Sequence, residues 1–348
     1  MLTLRTINRI LKVVKTNQRC EQSFHRWLAP TLRELKRRKD ALGPEKPVHR
    51  KTYIEWNYDT ELYAFSKRLG EEFNNNLLQQ ALTERSYIVS EEEKQKSVGI
   101  DQPLLDLADN SKLVTKGSNF IDDIVNRYLH TVLPRLPEEG IIEIQKYLTS
   151  TETLSHISFH IGTSELILCA DFPVEKLTLA NVLKSITAAL VESSGNGRAT
   201  AFVRDFILTQ IADKDLHQFW KPEEPIKLLS DILARDNVQS PEPRLIGCSG
   251  KNTLLACFRV GLYTPHNKQM IGLGFGETVD IAHEMAARDG LRQLFGLSDT
   301  ILLPFNIELE NLCASNTKNL SVNEWSQMKL SPQSKHLEFY QTKIISSN

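Results

Sequence analysis

The sequence predicts a multi-domain chain, an all-α domain over 58–220 followed by a small α+β module over 224–298. Three observations carry this. From Asp59 to Trp220, apolar residues recur at i, i+3, i+4 and i+7, the period of amphipathic helices. After Lys221-Pro222-Glu223-Glu224-Pro225 the pattern becomes a helix, alternating strand-like runs and a second helix, a succession that packs helices on one face of a small antiparallel sheet. The 348 residues, at ~150 per domain, make two domains the soft expectation. A composition 41% hydrophobic and 24% charged is that of a globular protein, and no apolar run approaches the ~18 residues of a membrane span.

Taking the elements in order, charge comes first. The formal net charge of -1 conceals an asymmetry: Met1 to Lys51 holds 14 Lys and Arg against 4 Asp and Glu, and the remainder 28 against 39, so a basic arm precedes an acidic body. Residues 1–20, MLTLRTINRILKVVKTNQRC, set Arg5, Arg9, Lys12, Lys15 and Arg19 among Leu, Ile and Val without an acid. That pattern predicts a mitochondrial transit peptide rather than a secretory signal, whose apolar centre is unbroken by charge; a basic surface helix is the simpler alternative. The basic N-terminal arm, 21–57, crowds Arg33, Lys36, Arg37, Arg38 and Lys39 onto a short helical stretch that Gly43-Pro44 and Pro47 break. Such a segment buries no core of its own. With Arg50 and Lys51 it is a candidate grip on a polyanion, since each phosphate neutralised releases counterions; a solvated linker is the alternative.

Within the α domain, ELYAFSKRLG puts Leu62, Phe65 and Leu69 on one face and Gly70 at a helix end. Helical patterns continue through NFIDDIVNRYLHTVL, GIIEIQKYLTS, TETLSHISFHI and TAFVRDFILTQIADKDLHQFW. LANVLKSITAALVESSG, Leu179 to Gly195, carries a stripe of Leu179, Val182, Leu183, Ile186 and Leu190, with Asn181 and Lys184 on the other side. His156 and His160, at i, i+4, have two zinc-type ligands and no visible third, which favours a structural role. In the second module the helix IKLLSDILARD, the strand runs LLACFRVGLYT and KQMIGLGFG, and the helix TVDIAHEMAARDGLRQLFG follow one another. GLGFGE reads as turn geometry rather than a nucleotide loop, because no βαβ unit surrounds it. Beyond Ser298, the C-terminal extension 299–348 loses periodicity, and its polar tail, LSPQSKHLEFYQTKIISSN, reads as peripheral or ordered by a partner. Cys20, Cys169, Cys248, Cys257 and Cys313 form no CxxC pair; Cys169 and Cys257 lie in apolar runs as small core residues, and the set suits a reducing compartment.

Three stretches carry a resemblance. LLQQALTERSYI, Leu77 to Ile88, resembles the LLxxALTHRSY opening of a ribonuclease III domain; LPEEGIIEIQKYLTSTETLSHISFHIG resembles its LPEG and NETLA helices; and LANVLKSITAALVESSG aligns without a gap on its last helix, LADTVEALIGAIYLDSG. GETVDIAHEMAARDGL resembles the final helix of a double-stranded-RNA-binding domain, with Ala282, Met285, Ala286 and Gly290 as its small face. The resemblance implies an all-α ribonuclease III-like domain and then an α-β-β-β-α RNA-binding-type domain. Together with the arm and leader, the chain is similar to the mitochondrial large-subunit ribosomal protein forty-four family.

Ribonuclease III holds divalent cations, hard ions that demand several carboxylates. Here the acids of LADTVEAL fall on Asn181 and Lys184. The other acids belong to NERLEFLGD, whose counterpart NSKLVTKGS, matched at Gly117, puts Ser111, Val114 and Ser118 at acid positions. Asp106, Asp109, Asp122, Asp123 and Glu192 are the nearby acids, and surface solvation or a salt bridge is their expected fate. The expected site therefore has no catalytic carboxylates, no metal and no cofactor. The RNA-binding-type domain departs as well: its family's KKxAK run reads VDIAH here, behind Glu277, leaving Lys227, Lys251 and Asn252 as its candidate RNA contacts. The resemblance implies a structural component of the mitochondrial large ribosomal subunit, in the matrix, that binds ribosomal RNA and neighbouring ribosomal proteins, with pairing to another ribonuclease III-like domain as a further partner. The alternative is a metal-dependent endoribonuclease acting on double-stranded mitochondrial RNA.

Overall fold

A computed structural model describes residues 30–43, 49–99, 107–212, 214–265, 268–297, 303–305 and 318–330. The expected leader, residues 1–20, lies outside them. The chain divides into two compact units, Met1–His49 and Arg50–Asn348. In the first, helix α1 (Pro30–Leu42) presents Arg33, Lys36, Arg37, Arg38 and Lys39 on an exposed surface. Arg50 and Lys51, read from sequence as part of the arm, belong to the second unit.

That unit begins with an α domain: α2 (Tyr58–Leu69), α3 (Asn75–Leu82), α4 (Arg85–Ser97), α5 (Ser111–Val132), α6 (Glu138–Leu148), α7 (Thr151–Ile161), α8 (Lys176–Ser194) and α9 (Asn196–Phe206). Leu62 and Phe65 of α2 are each 1% exposed, and Gly70 ends the helix at φ 69°, a left-handed cap that glycine adopts without a Cβ clash. Helix α8 is the centre of the domain, packing on α5, α7, α9 and α3. Its expected stripe is buried, and so are Ala180, Ser185, Thr187, Ala188 and Ala189, so the helix is covered nearly all round rather than along one face. The two hydroxyls survive burial because each is hydrogen-bonded; Ser185 donates to the carbonyls of Ala81 and Val182, and Thr187 to that of Leu183. The signature segment NSKLVTKGS is helical, forming the first turns of α5. The expected single helix over 200–220 instead ends at Phe206 and gives way to 3-10 turns at Leu208–Ile211 and Leu216–Gln218.

The second module consists of α10 (Pro225–Arg235), the antiparallel sheet β1 (Glu242–Ser249), β2 (Cys257–Tyr263), β3 (Met270–Gly276) in the order β1-β2-β3, and α11 (Val279–Leu294). GLGFG is therefore strand rather than turn. A Cβ on Gly274 would lie 2.1 Å from the Ala282 oxygen and 2.2 Å from the Ala286 nitrogen, and one on Gly272 2.3 Å from the Ala286 oxygen. These glycines let backbone meet backbone between β3 and α11. On the helix side Ala282, Ala286, Ala287 and Gly290 are buried, whereas Met285, expected in the small face, is 41% exposed. Cys169 is buried as expected; Cys257 is exposed, because it opens β2 on the uncovered side.

Within the C-terminal extension, residues 318–326 pack on both modules, while the polar tail after Leu330 lies outside the described residues. Trp325 is 1% exposed, donates from Nε1 to the Arg135 carbonyl between α5 and α6, and meets Phe295 edge to face at 5.0 Å. Arg235 at the end of α10 donates to the carbonyls of Val322 and Trp325, while Asn319 donates to those of Leu133 and Leu136. Residues 318–326 thus strap the RNA-binding-type module to the α domain. Among the described residues no helix is long and apolar enough to cross a membrane.

Candidate functional site

The positions matched to catalytic acids lie where α5 crosses α8. Gly117 is at the point of contact: a Cβ there would stand 1.8 Å from the Lys184 carbonyl oxygen and 2.6 Å from its carbon, so the two backbones touch. Around that point Val114, Ser118, Asn181 and Lys184 are half-buried, and Ser111 is exposed at the start of α5. These five side chains offer two hydroxyls, an isopropyl group, an amide and an ammonium. Such a donor set does not fit a divalent cation, which asks for several charged oxygens. No described acid forms an ion pair with Lys184.

The nearby acids have other occupations. Asp109 accepts a hydrogen bond from Ser111 at 2.8 Å, Asp123 pairs with Arg127 at 2.7 Å on its own helix, and Glu192 pairs with Lys116 at 2.7 Å across α5 and α8. Asp122 is half-buried, and Asp106 lies outside the described residues. Glu84, which sequence reasoning passed over, accepts from Thr178 on α8 and from Ser86. Among the described residues no three His, Cys, Asp or Glu side chains gather closely enough to hold a metal ion. His156 and His160 are an exposed pair with Nε2 atoms 3.1 Å apart.

The candidate RNA contacts fall into three groups. On α1, Arg37 and Arg38 share Glu34 at 2.9 and 3.2 Å; exposed pairs of this kind are worth only ~0.3–0.5 kcal/mol, so a phosphate can displace them. On the body, Arg50 lies 5.3 Å from the Trp56 ring centre and Lys51 4.7 Å from that of Tyr87. Burial lowers the Lys51 pKa from its ordinary value. In the second module Lys227 pairs with Glu224 at 3.2 Å, while Lys251 and Asn252 are exposed in the β1–β2 turn beside the fully exposed Leu254. The amino end of α11 is acidic, with Glu277 and Asp280 exposed there. Sequence reasoning missed the opposite, outward face of the sheet, where Arg244 lies over Tyr263 and Arg259 over Phe275.

Comparison with known proteins bears on both modules. Residues 57–190 match the model of the large ribosomal subunit protein mL44 endonuclease domain, and residues 220–326 that of the MRPL44 dsRNA-binding domain. The second match extends over Trp325. The large ribosomal subunit protein mL44 of Caenorhabditis elegans is 29% identical over 290 residues, 82% of this chain and 72% of that one. Ribonuclease 3 of Enterococcus faecalis is 26% identical over 235 residues, 66% of this chain and 95% of that one. Among solved structures, the nuclease domain of ribonuclease III from Campylobacter jejuni aligns at 19% identity and TM-score 0.36, covering 44% of this chain and 97% of that one. With a matching domain model on each module and a worm relative spanning both, the chain belongs to the large ribosomal subunit protein mL44 family.

Proposed function

We propose that this chain is a structural component of the large subunit of the mitochondrial ribosome, working in the matrix, where it holds ribosomal RNA and neighbouring ribosomal proteins and does not cleave RNA. Family membership supports the ribosomal half. The observation that carries the non-enzymatic half is the α5–α8 crossing. Hydrolysis of a phosphodiester with divalent ions needs carboxylates to hold the ions and generate a bound hydroxide. Ser111, Val114, Ser118, Asn181 and Lys184 supply none, and the Lys184 ammonium repels a cation. RNA contact then falls to Arg33, Lys36, Arg37, Arg38 and Lys39, with Arg50, Lys51, Lys227, Lys251 and Asn252 as supplementary contacts. The helical domain is available to pair with a second ribonuclease III-like domain or another ribosomal protein.

Sedimentation of a mitochondrial lysate on a sucrose gradient, with and without magnesium removal, tests the reading. The expected outcome is co-migration with the large subunit in moderate salt, weakened when Arg37, Arg38 and Lys39 are changed to Glu. A chain that stays at the top of the gradient refutes the ribosomal half. Magnesium-dependent cleavage of duplex RNA by the purified chain, abolished in Asp122→Asn/Asp123→Asn, refutes the other.

A further inference from the structure

The sheet of the second module has one covered and one open face. Val260 and Leu262 are buried beneath α11, and the missing side chains of Gly272, Gly274 and Gly276 point at the same helix. Because successive residues of a strand face opposite ways, Arg259, Gly261, Tyr263, Leu273 and Phe275 point to the other side. Neither α10 nor α11 covers that side, and Phe275 is 53% exposed on it.

Two steps stand on this open face. Arg259 pairs directly across the ladder with Phe275, its guanidinium carbon 5.8 Å from the ring centre. Arg244 of β1 lies 5.4 Å from the ring centre of Tyr263. Along β2 the two steps are separated by four residues, about 13 Å at the rise of a strand. Gly261 lies between them, and the absence of its side chain lets the Ile246 and Tyr263 side chains close over the strand: a Cβ there would be 2.8 Å from one and 3.0 Å from the other. The surface between the steps is apolar, with Ile246 itself 42% exposed.

Charge selects what such a face takes. Over 242–276 the sequence carries Arg244, Lys251, Arg259 and Lys268 against Glu242 alone, within a body where acids outnumber bases. Glu242 is held by Arg244 at 3.0 Å. The surface that double-stranded-RNA-binding domains turn to a duplex is here acidic at the start of α11, whereas the open face of the sheet carries Arg244 and Arg259. A basic patch by itself attracts any polyanion. Planar guanidinium groups beside exposed aromatic rings are what unpaired bases stack on, and a regular duplex has no such bases to offer.

We propose that the outward face of β1-β2-β3 binds a single-stranded RNA segment, with bases stacking at Arg259–Phe275 and Arg244–Tyr263. This goes beyond the ribosomal reading and does not depend on it, because it is tested with free RNA. The full chain is titrated into a fluorescein-labelled single-stranded RNA 12-mer and into the same sequence as a duplex, with anisotropy as the readout. Arg259→Ala/Phe275→Ala and Arg244→Ala/Tyr263→Ala should each weaken single-strand binding about tenfold and leave duplex binding within about twofold. Arg259→Lys, which keeps the charge but not the plane, should weaken single-strand binding while leaving its salt dependence unchanged. Single-strand affinity equal to that of the parent in both double variants overturns the proposal. So do equal losses on single strand and duplex, which would mean a general charge effect. Unchanged RNA binding accompanied by loss of ribosome co-sedimentation would make the face a protein dock and also overturn it.

Discussion

Replacing Gly117 with Ala tests how close the α5–α8 crossing is. The added methyl would stand 1.8 Å from the Lys184 oxygen, where ordinary contact is 3.4 Å, so the helices must part by up to about 1.6 Å. Neither neighbouring atom is the end of a flexible side chain, since both belong to backbone at the centre of the domain. A gap of ~0.5–1 Å already forfeits a quarter to a half of each dispersion contact, and Val182, Leu183 and Ile186 of α8 are fully buried. Overpacking with backbone displacement costs about 3 kcal/mol, of which about 1 kcal/mol is returned by removing a glycine from a helix interior. The net loss of about 2 kcal/mol corresponds to a fall in Tm of roughly 4–8 °C, read by far-ultraviolet circular dichroism of the full chain. Gly247→Ala is the control: no atom lies within 4 Å of its Cβ, and the change should stay within about 0.5 kcal/mol. A Gly117→Ala chain that melts within about 2 °C of the parent would refute the close crossing.

Three further outcomes follow from the packing. Gly274→Ala should lift α11 from β3 and destabilise the second module by about 3 kcal/mol, seen as earlier urea unfolding while Gly247→Ala unfolds with the parent. Trp325→Ala should cost about 3–5 kcal/mol, because it empties a buried site and leaves the Arg135 carbonyl without its donor; limited proteolysis should then cut between the modules, and an unchanged digest would contradict the strap. Burial, followed by the Glu84 carboxylate, pushes the Cys169 thiol above its ordinary 9.0. A raised pKa leaves less thiolate at pH 8, so iodoacetamide should label exposed Cys248 and Cys257 well before Cys169, and Cys169 should become reactive only as pH rises past its ordinary range; equal rates at pH 8 would exclude that environment.

Much of the helical frame was legible in the residues. Helix α2 with its Gly70 cap, α6, α7, α10 and α11 follow their apolar periods because each has one covered face, and a period reports a covered face. The absence of acids from NSKLVTKGS and LANVLKSITAAL was equally legible, since it is a matter of residue identity. Burial was less legible. A stripe on α8 could not announce that α3, α5, α7 and α9 enclose the helix, because Ala, Ser and Thr bury as readily as Leu once neighbours accept their hydroxyls. Strand β1 carries no alternation to detect, as every residue in it is exposed and its register shifts between Leu245 and Gly247.

By itself, then, the sequence determined the two modules, their order, the basic arm and the lack of acids within NSKLVTKGS and LANVLKSITAAL, all properties of composition and of contacts within a few residues along the chain. Tertiary structure alone decided the rest: that Gly117 meets the Lys184 backbone, that the glycines of β3 admit α11, that Trp325 ties the modules together, and that Arg244, Tyr263, Arg259 and Phe275 share an open face. Each joins residues distant in the chain, or on different strands, and no local period encodes which surfaces meet.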